Sequence, residues 1–219
     1  MNWSWEVAFD VLPQLARGLI ITVEATFVGA LIAYLLGLII AILKMSKSKI
    51  LRVVVYWIAE FIRRTPLLIQ LYFLFYILPD YGIFLSPFLA GVIGLGLHFS
   101  TYTSEVFRAG IENVPKGQWE AAKSLNYNMF QSWKDVILPQ AIPPMIPPLA
   151  NYLITMFKET PLLMAITVVE LFGAANQYSN SHYKYLEPMT LVGLFFLIVS
   201  IPSAIAAMKL EKKFKLRKV

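Results

Sequence analysis

The chain contains no cysteine, which excludes disulfides, thiol nucleophiles and thiolate metal sites and leaves the redox compartment open. Its two histidines, His98 and His182, are far apart and form no His-Glu-x-x-His pair, so no zinc-hydrolase pattern is encoded. There is no Gly-x-x-x-x-Gly-Lys-Ser/Thr loop either, and nothing else that could cradle nucleotide phosphates. With no metal constellation and no pairing of nucleophile and base, an intramembrane enzyme has nothing to work with, and no cofactor is expected. Charge is scarce as well: Asp, Glu, Lys and Arg make up 15% of the 219 residues, against roughly a quarter in ordinary soluble domains.

What is abundant is apolar. Hydrophobic residues make up 58% of the chain, and they gather into long stretches separated by short basic clusters, the pattern of a polytopic membrane protein. A helix crossing ~30 Å of hydrocarbon needs about 20 residues. About five stretches meet that length, roughly 15–43, 53–78, 87–106, 149–172 and 189–210. The expectation is an all-α integral membrane protein, one transmembrane domain over 1–219. Met1 to Asp10 carries Glu6 and Asp10 and no Lys or Arg, so it lacks a cleavable signal's basic region and is expected to stay in the mature protein. Trp3 and Trp5 suit a short interfacial segment.

Orientation follows from charge. Lys44, Lys47, Lys49 and Arg52 lie after the first span; Arg108, Lys116, Lys123 and Lys134 follow the third; Lys209, Lys212, Lys213, Lys215, Arg217 and Lys218 close the chain. These are fourteen of the nineteen Lys and Arg residues. The positive-inside rule puts them in the cytoplasm, with the N-terminus outside and the C-terminus inside. The net charge of +6 thus points to an anionic membrane face rather than to nucleic acid.

The segment 108–148 is the long cytoplasmic loop of this scheme. Pro115 can open a helix, and Lys116 to Leu125 are good helix formers. Asn126 follows, a residue that tolerates the left-handed conformation ending helices. A second helical stretch spaces Phe130, Trp133, Val136 and Ile137 by three and four residues, and Pro139, Pro143, Pro144, Pro147 and Pro148 are expected to stop it.

Glu120-Ala121-Ala122, Asn126 and Val136-Ile137-Leu138-Pro139 together resemble the cytoplasmic Glu-Ala-Ala loop of bacterial ATP-binding-cassette importer permeases. The family pattern is Glu-Ala-Ala, three residues, Gly, nine residues, Ile, one residue, Leu-Pro. The spacing matches without insertion, with Asn126 in place of Gly and Val136 in place of Ile. Further strings are similar to the polar amino acid uptake subfamily: Glu60 to Leu68 with Gln70, Ser104 to Glu112, and Pro115 to Trp119. Lys158-Glu159-Thr160-Pro161-Leu162 departs from that subfamily's Lys-Asp-Thr-Ser-Leu. The loop from Leu78 to Ile83 resembles permeases for ectoine and hydroxyectoine.

The resemblance implies a non-catalytic permease subunit in the bacterial cytoplasmic membrane, with five spans, moving a polar amino acid or zwitterionic derivative by alternating access. Its partners would be a cytoplasmic ATPase dimer, an extracytoplasmic solute-binding protein, a second permease subunit of the same or a related chain, and lipid. Glu120, Ala121, Ala122, Asn126, Leu138 and Pro139 would form the coupling segment docking on the ATPase, Glu120 pairing with a basic residue there.

Ionisable groups in a bilayer mark pathways or are neutralised in place. By helical rise, Arg63, Arg64 and Thr65 lie near the middle of span two, Lys158 and Glu159 at similar depth on span four, and His98, Ser100 and Tyr102 near the middle of span three. Arg64, Thr65, His98, Tyr102, Lys158 and Glu159 are the candidate substrate pathway. The blander reading has Glu60 and Arg64 neutralising each other, Arg63 reaching to the interface, Glu105 pairing with Arg108, and His98 as a hydrogen-bonded packing group. Glu24 divides evenly between pathway and packing. An ion channel or stand-alone secondary carrier would keep the mid-span charges without needing a coupling loop.

Overall fold

A computed structural model describes residues 3–215; Arg217 and Lys218 of the terminal basic cluster lie outside them. Nine α-helices, α1 to α9, make up the described chain, and no strand occurs among its residues. α1 (Trp5–Lys44) is capped by the Ser4 hydroxyl, which accepts from Val7 N, and runs unbroken for 40 residues. Trp5 therefore belongs to this helix and not to a separate interfacial segment. α4 (Pro87–Glu112) lies parallel to α1. Small residues set their close approach: a Cβ on Gly37 would fall on the Thr103 hydroxyl, and one on Gly96 on the Ile32 side chain. Backbones pack this tightly in membranes because dispersion, rather than water exclusion, holds helices together.

The second expected span, 53–78, is not one helix. α2 (Lys49–Arg64) and α3 (Leu67–Tyr72), extended by a π-turn over Phe73–Ile77 and a 3₁₀ turn over Leu78–Tyr81, meet at a 100° bend. The cause is local. Pro66 has no N–H and forces Thr65 out of the helical region, to φ −88° and ψ 129°.

The proline run also departs from expectation. Met129–Gln131 (α6) leads through a π-turn at Ser132–Ile137 into α7 (Leu138–Glu159), which carries Pro143, Pro144, Pro147 and Pro148 inside it. The prolines do not stop the helix; the widened π-turn just before Pro139 gives its ring room, and neighbouring helices tolerate the missing donors. α7 ends where Pro161 forces a change: a 3₁₀ turn (Thr160–Ile166), then Thr167 with φ 67°, then α8 (Leu171–His182) at 46°. The fourth expected span, 149–172, is thus a broken one. α9 (Leu186–Lys215) matches the fifth and overshoots it at both ends.

α1 and α9 are each long and apolar enough to cross a membrane alone, and the two bent pairs raise the number to four by length and composition. At 26 residues α4 is long enough too, ~39 Å. It is more polar because it is the central helix, with His98, Ser100, Thr101, Thr103 and Ser104 buried. Phe27, Leu31, Leu35, Ile39 and Ile42 of α1 and Val53, Val54, Trp57, Ile58 and Phe61 of α2 stay exposed, the apolar exterior of a protein whose solvent is lipid. At the end opposite Lys44, Ser4 N donates to Glu187 at 2.8 Å and Tyr178 to Asp10 at 2.7 Å, tying together the starts of α1 and α9 and the end of α8.

Candidate functional site

Two places carry the residues singled out by sequence. The first is α5 (Lys116–Ser124), between α4 and α6, preceded by Pro115 in an extended conformation. Leu125 ends it, and Asn126 adopts φ 56°. Tyr127 N donates to Ala122 O and Asn126 N to Lys123 O, so the terminal carbonyls are satisfied as in a glycine-ended helix. Asn128 then starts the next turn in a reciprocal capping box with Gln131.

Tertiary packing makes this segment rigid. Trp119 and Trp133 meet edge to face, centroids 5.3 Å apart. Ile111, Val114, Ile137, Ala141 and Met145 form a small core beneath them, and Gln140 donates to Gln118 at 3.1 Å. Glu120 and Ala121 face outward, and a Cβ on Gly117 would meet nothing. Ala122 faces the other way, 1% exposed, so of the two alanines expected to permit close approach to a partner only Ala121 is at the surface. Leu138 and Pro139 are exposed where α7 begins.

The second place is a polar seam between α2, α3, α4 and α7. Arg63 donates to Glu60 at 2.9 Å, to Thr101 O at 2.5 Å and to Glu105 at 3.4 Å, and lies over the Tyr102 ring. It is anchored inward, not reaching to the interface. Arg64 pairs with Glu60 at 2.9 Å while its side chain stays 79% exposed, and Thr65 Oγ1 donates to Phe61 O. Glu105 also accepts from Lys44 at 2.6 Å and from Arg108 at 2.7 and 3.0 Å. Above this network Gln70 donates to Ile62 O and Thr65 O, bracing the α2–α3 break, and sits 3.1 Å from His98 Nδ1. His98, Tyr102 and Tyr152 continue as an aromatic row.

Lys158 and Glu159 are not at this level. Met156 packs against Gly29 of α1, some fifteen residues or roughly 22 Å before Lys44, whereas Arg63 shares Glu105 with Lys44. The expected single layer is two: Arg64 and Thr65 lie with the seam towards the Lys44 end, whereas Lys158 and Glu159 lie near the middle of α1, where Met156 and Leu95, one turn before His98, both pack on Gly29, and Tyr102 lies between the two levels. Lys158 is exposed and Glu159 half-buried, and neither side chain enters an ion pair or hydrogen bond among the described residues. Glu24 is exposed on α1.

Three further residues matter that sequence reasoning passed over. Tyr152 joins the aromatic row, but a tyrosine in an apolar run gives no sign of its neighbours. Glu170 is fully buried and caps α8, its carboxylate accepting from Phe172 N at 2.9 Å and Gly173 N at 2.7 Å. Thr22 Oγ1 accepts from Leu171 N at 3.1 Å. The signal was an acidic residue three places before Gly173, a helix-start pattern. No group of three or more His, Asp or Glu able to hold a metal occurs among the described residues.

Comparison with known proteins gives one answer. The family model described as "binding-protein-dependent transport system inner membrane component" matches residues 33–216. A relative from Sinorhizobium fredii, a probable amino-acid ABC transporter permease protein, is 44% identical over 207 residues, covering 91% of this chain and 87% of its own. The arginine transport system permease protein ArtQ of Bacillus subtilis is 33% identical, with 98% and 99% covered. The crystal structure of an amino acid ABC transporter with histidines superimposes with a TM-score of 0.88 at 33% identity, over 97% of this chain and all of that one. A methionine transporter, MetNI, shares the fold alone, at 20% identity and TM-score 0.71 over 91% of this chain and 95% of that one. The chain therefore belongs to the inner-membrane-component family of binding-protein-dependent transport systems, as a non-catalytic permease subunit whose ATPase is a separate subunit.

Proposed function

We propose that this chain is the transmembrane subunit of an ATP-driven importer for a polar amino acid or zwitterionic amino acid derivative, working by alternating access across the bacterial cytoplasmic membrane. The observation that carries this reading is α5, a short helix held rigid by the Trp119–Trp133 contact while presenting Glu120 and Ala121 outward. Such a helix suits insertion into a cleft on a cytoplasmic ATPase dimer, with Asn126, Leu138 and Pro139 fixing its exit and its link to α7. A channel or secondary carrier would have no use for it. The curated relatives named for amino acids, arginine and cystine among them, support the substrate class. Ectoine and hydroxyectoine fall within that class, and the loop from Leu78 to Ile83 is what favours them. A solute-binding protein would deliver the substrate, and a second permease subunit would complete the path.

In this reading residues 1–219 form one domain with five crossings: α1, the bent α2–α3 pair, α4, the bent α7–α8 pair, and α9. The basic end, with Lys44, Lys116 and Lys213, faces the cytoplasm. A reporter active only in the cytoplasm and fused after Val219 is expected to be active, and the same reporter inserted at Asn180 silent. Activity at both sites would overturn the topology.

Lys158 and Glu159, unpaired at the α7 break, line the path for a zwitterion, since broken helices at membrane depth are tolerated where they border a cavity or protein. Glu159→Gln, nearly isosteric, is expected to lower transport at least ~10-fold, a loss of about 1.4 kcal/mol of charge-assisted contact, while the assembled complex keeps basal ATPase activity. Normal uptake would remove Glu159 from the path, and failure to assemble would make it structural.

A further inference from the structure

Between α7 and α9 a groove of about 260 Å³ opens on the outer surface of the bundle, and neither Lys158 nor any residue of the polar seam is in its lining. On α9 it is lined by Val199, Ser203, Ala206 and Leu210, and on α7 by Leu153 and Phe157, with Phe27 of α1 beside them. It has little to offer a polar solute. The hydroxyls of Thr26 and Ser203 donate to Thr22 O and Val199 O, both at 2.7 Å. Among its lining side chains that leaves the buried Ser200 hydroxyl, which has no partner.

The α9 positions recur at alternating spacings of four and three, which keeps them on one helical face. The next position on that face beyond Leu210 is Lys213, with Lys209 one turn before it; both are exposed. From Val199 to Leu210 the groove runs ~16 Å, about half the ~30 Å hydrocarbon thickness. An apolar channel one leaflet long, with two ammonium groups at its mouth, has the shape and charge of a single amphiphile.

We propose that this groove binds one acyl chain of an anionic glycerophospholipid, whose phosphate is held by Lys209 and Lys213. A zwitterionic lipid of equal chain length would fill the groove without net attraction to the lysines. Basic residues at an anionic surface each shift partitioning by about fivefold, so two of them give a ~25-fold preference.

The test uses the assembled transporter, purified and placed in nanodiscs of phosphatidylcholine containing one-tenth phosphatidylglycerol, followed by delipidation and quantification of retained lipid. Wild type is expected to retain phosphatidylglycerol near one per permease chain. The Lys209→Gln/Lys213→Gln variant should lose most of it, and Ala206→Phe, which fills the groove with both lysines intact, should lose it as well. Because loss of positive charge could disturb insertion, the glutamine variant is scored only against ATPase co-assembly, and Ala206→Phe carries the test independently. Retention unchanged in Ala206→Phe, equal retention of phosphatidylcholine, or a cysteine cross-link placing a second permease copy over Ala206 would each overturn the proposal.

Discussion

Glu120→Lys is expected to abolish co-purification of the ATPase while the permease still inserts and folds. Glu120 is exposed on α5, and its side chain makes no ion pair or hydrogen bond with described residues, so the native bundle loses nothing by the change. Its backbone carbonyl accepts from Ser124, a bond the substitution leaves alone. In the docking proposed above the same carboxylate would meet a basic cleft, and reversing its sign would replace attraction with repulsion at a desolvated contact. Breaking such a pair costs about 2–5 kcal/mol, so affinity should fall at least ~30-fold. Detergent pull-down with tagged permease reads this directly, with size-exclusion chromatography as the check on folding. Undiminished ATPase recovery with the Lys variant would remove Glu120 from the interface.

Glu105→Leu should be strongly destabilising. Glu105 joins three elements at once, accepting from Lys44 of α1, Arg63 of α2 and Arg108 of its own helix. The Lys44 side chain is only 6% exposed and pairs, among the described residues, with Glu105 alone. Removing the carboxylate strands that ammonium, which costs about 3–5 kcal/mol, or a melting temperature lower by on the order of 10 °C for a chain of this size. Removing both charges is far milder, because no ion is then left unpaired. Lys44→Met/Glu105→Leu should therefore recover part of the loss, the remainder reflecting Arg63 and Arg108. Scanning fluorimetry of the four proteins gives the double-mutant cycle. A double variant no better than Glu105→Leu would mean that the Lys44 contact contributes nothing.

Much of this arrangement could be read before any coordinates. Asn126 in a left-handed conformation, the two helices of the loop and the change of helix at Pro161 all follow from local chemistry that a sequence displays. So do the Glu60–Arg64 and Glu105–Arg108 pairs, which are spaced by four and three residues on one helix. What escaped has a common cause in long-range contact. Nothing near Arg63 says that it will turn inward to Thr101 and Glu105, some forty residues on, and nothing near Thr22 announces Glu170. The proline run misled because a proline's local effect is to end a helix, whereas here the π-turn at Ser132–Ile137 and the packing around α7 carry the helix through it. The depth of Arg64 was misjudged because counting rise along 53–78 treats α2 and α3 as one rod, whereas Pro66 bends them by 100° and Arg63 ends beside Glu105 and Lys44.

Reconstitution in proteoliposomes with the ATPase and the solute-binding protein tests the central claim most directly. Uptake of a labelled polar amino acid, or of ectoine, must require ATP, the binding protein and the ATPase together, and must vanish with Glu120→Lys. Uptake by the permease chain alone, driven by an ion gradient and indifferent to ATP, would contradict it.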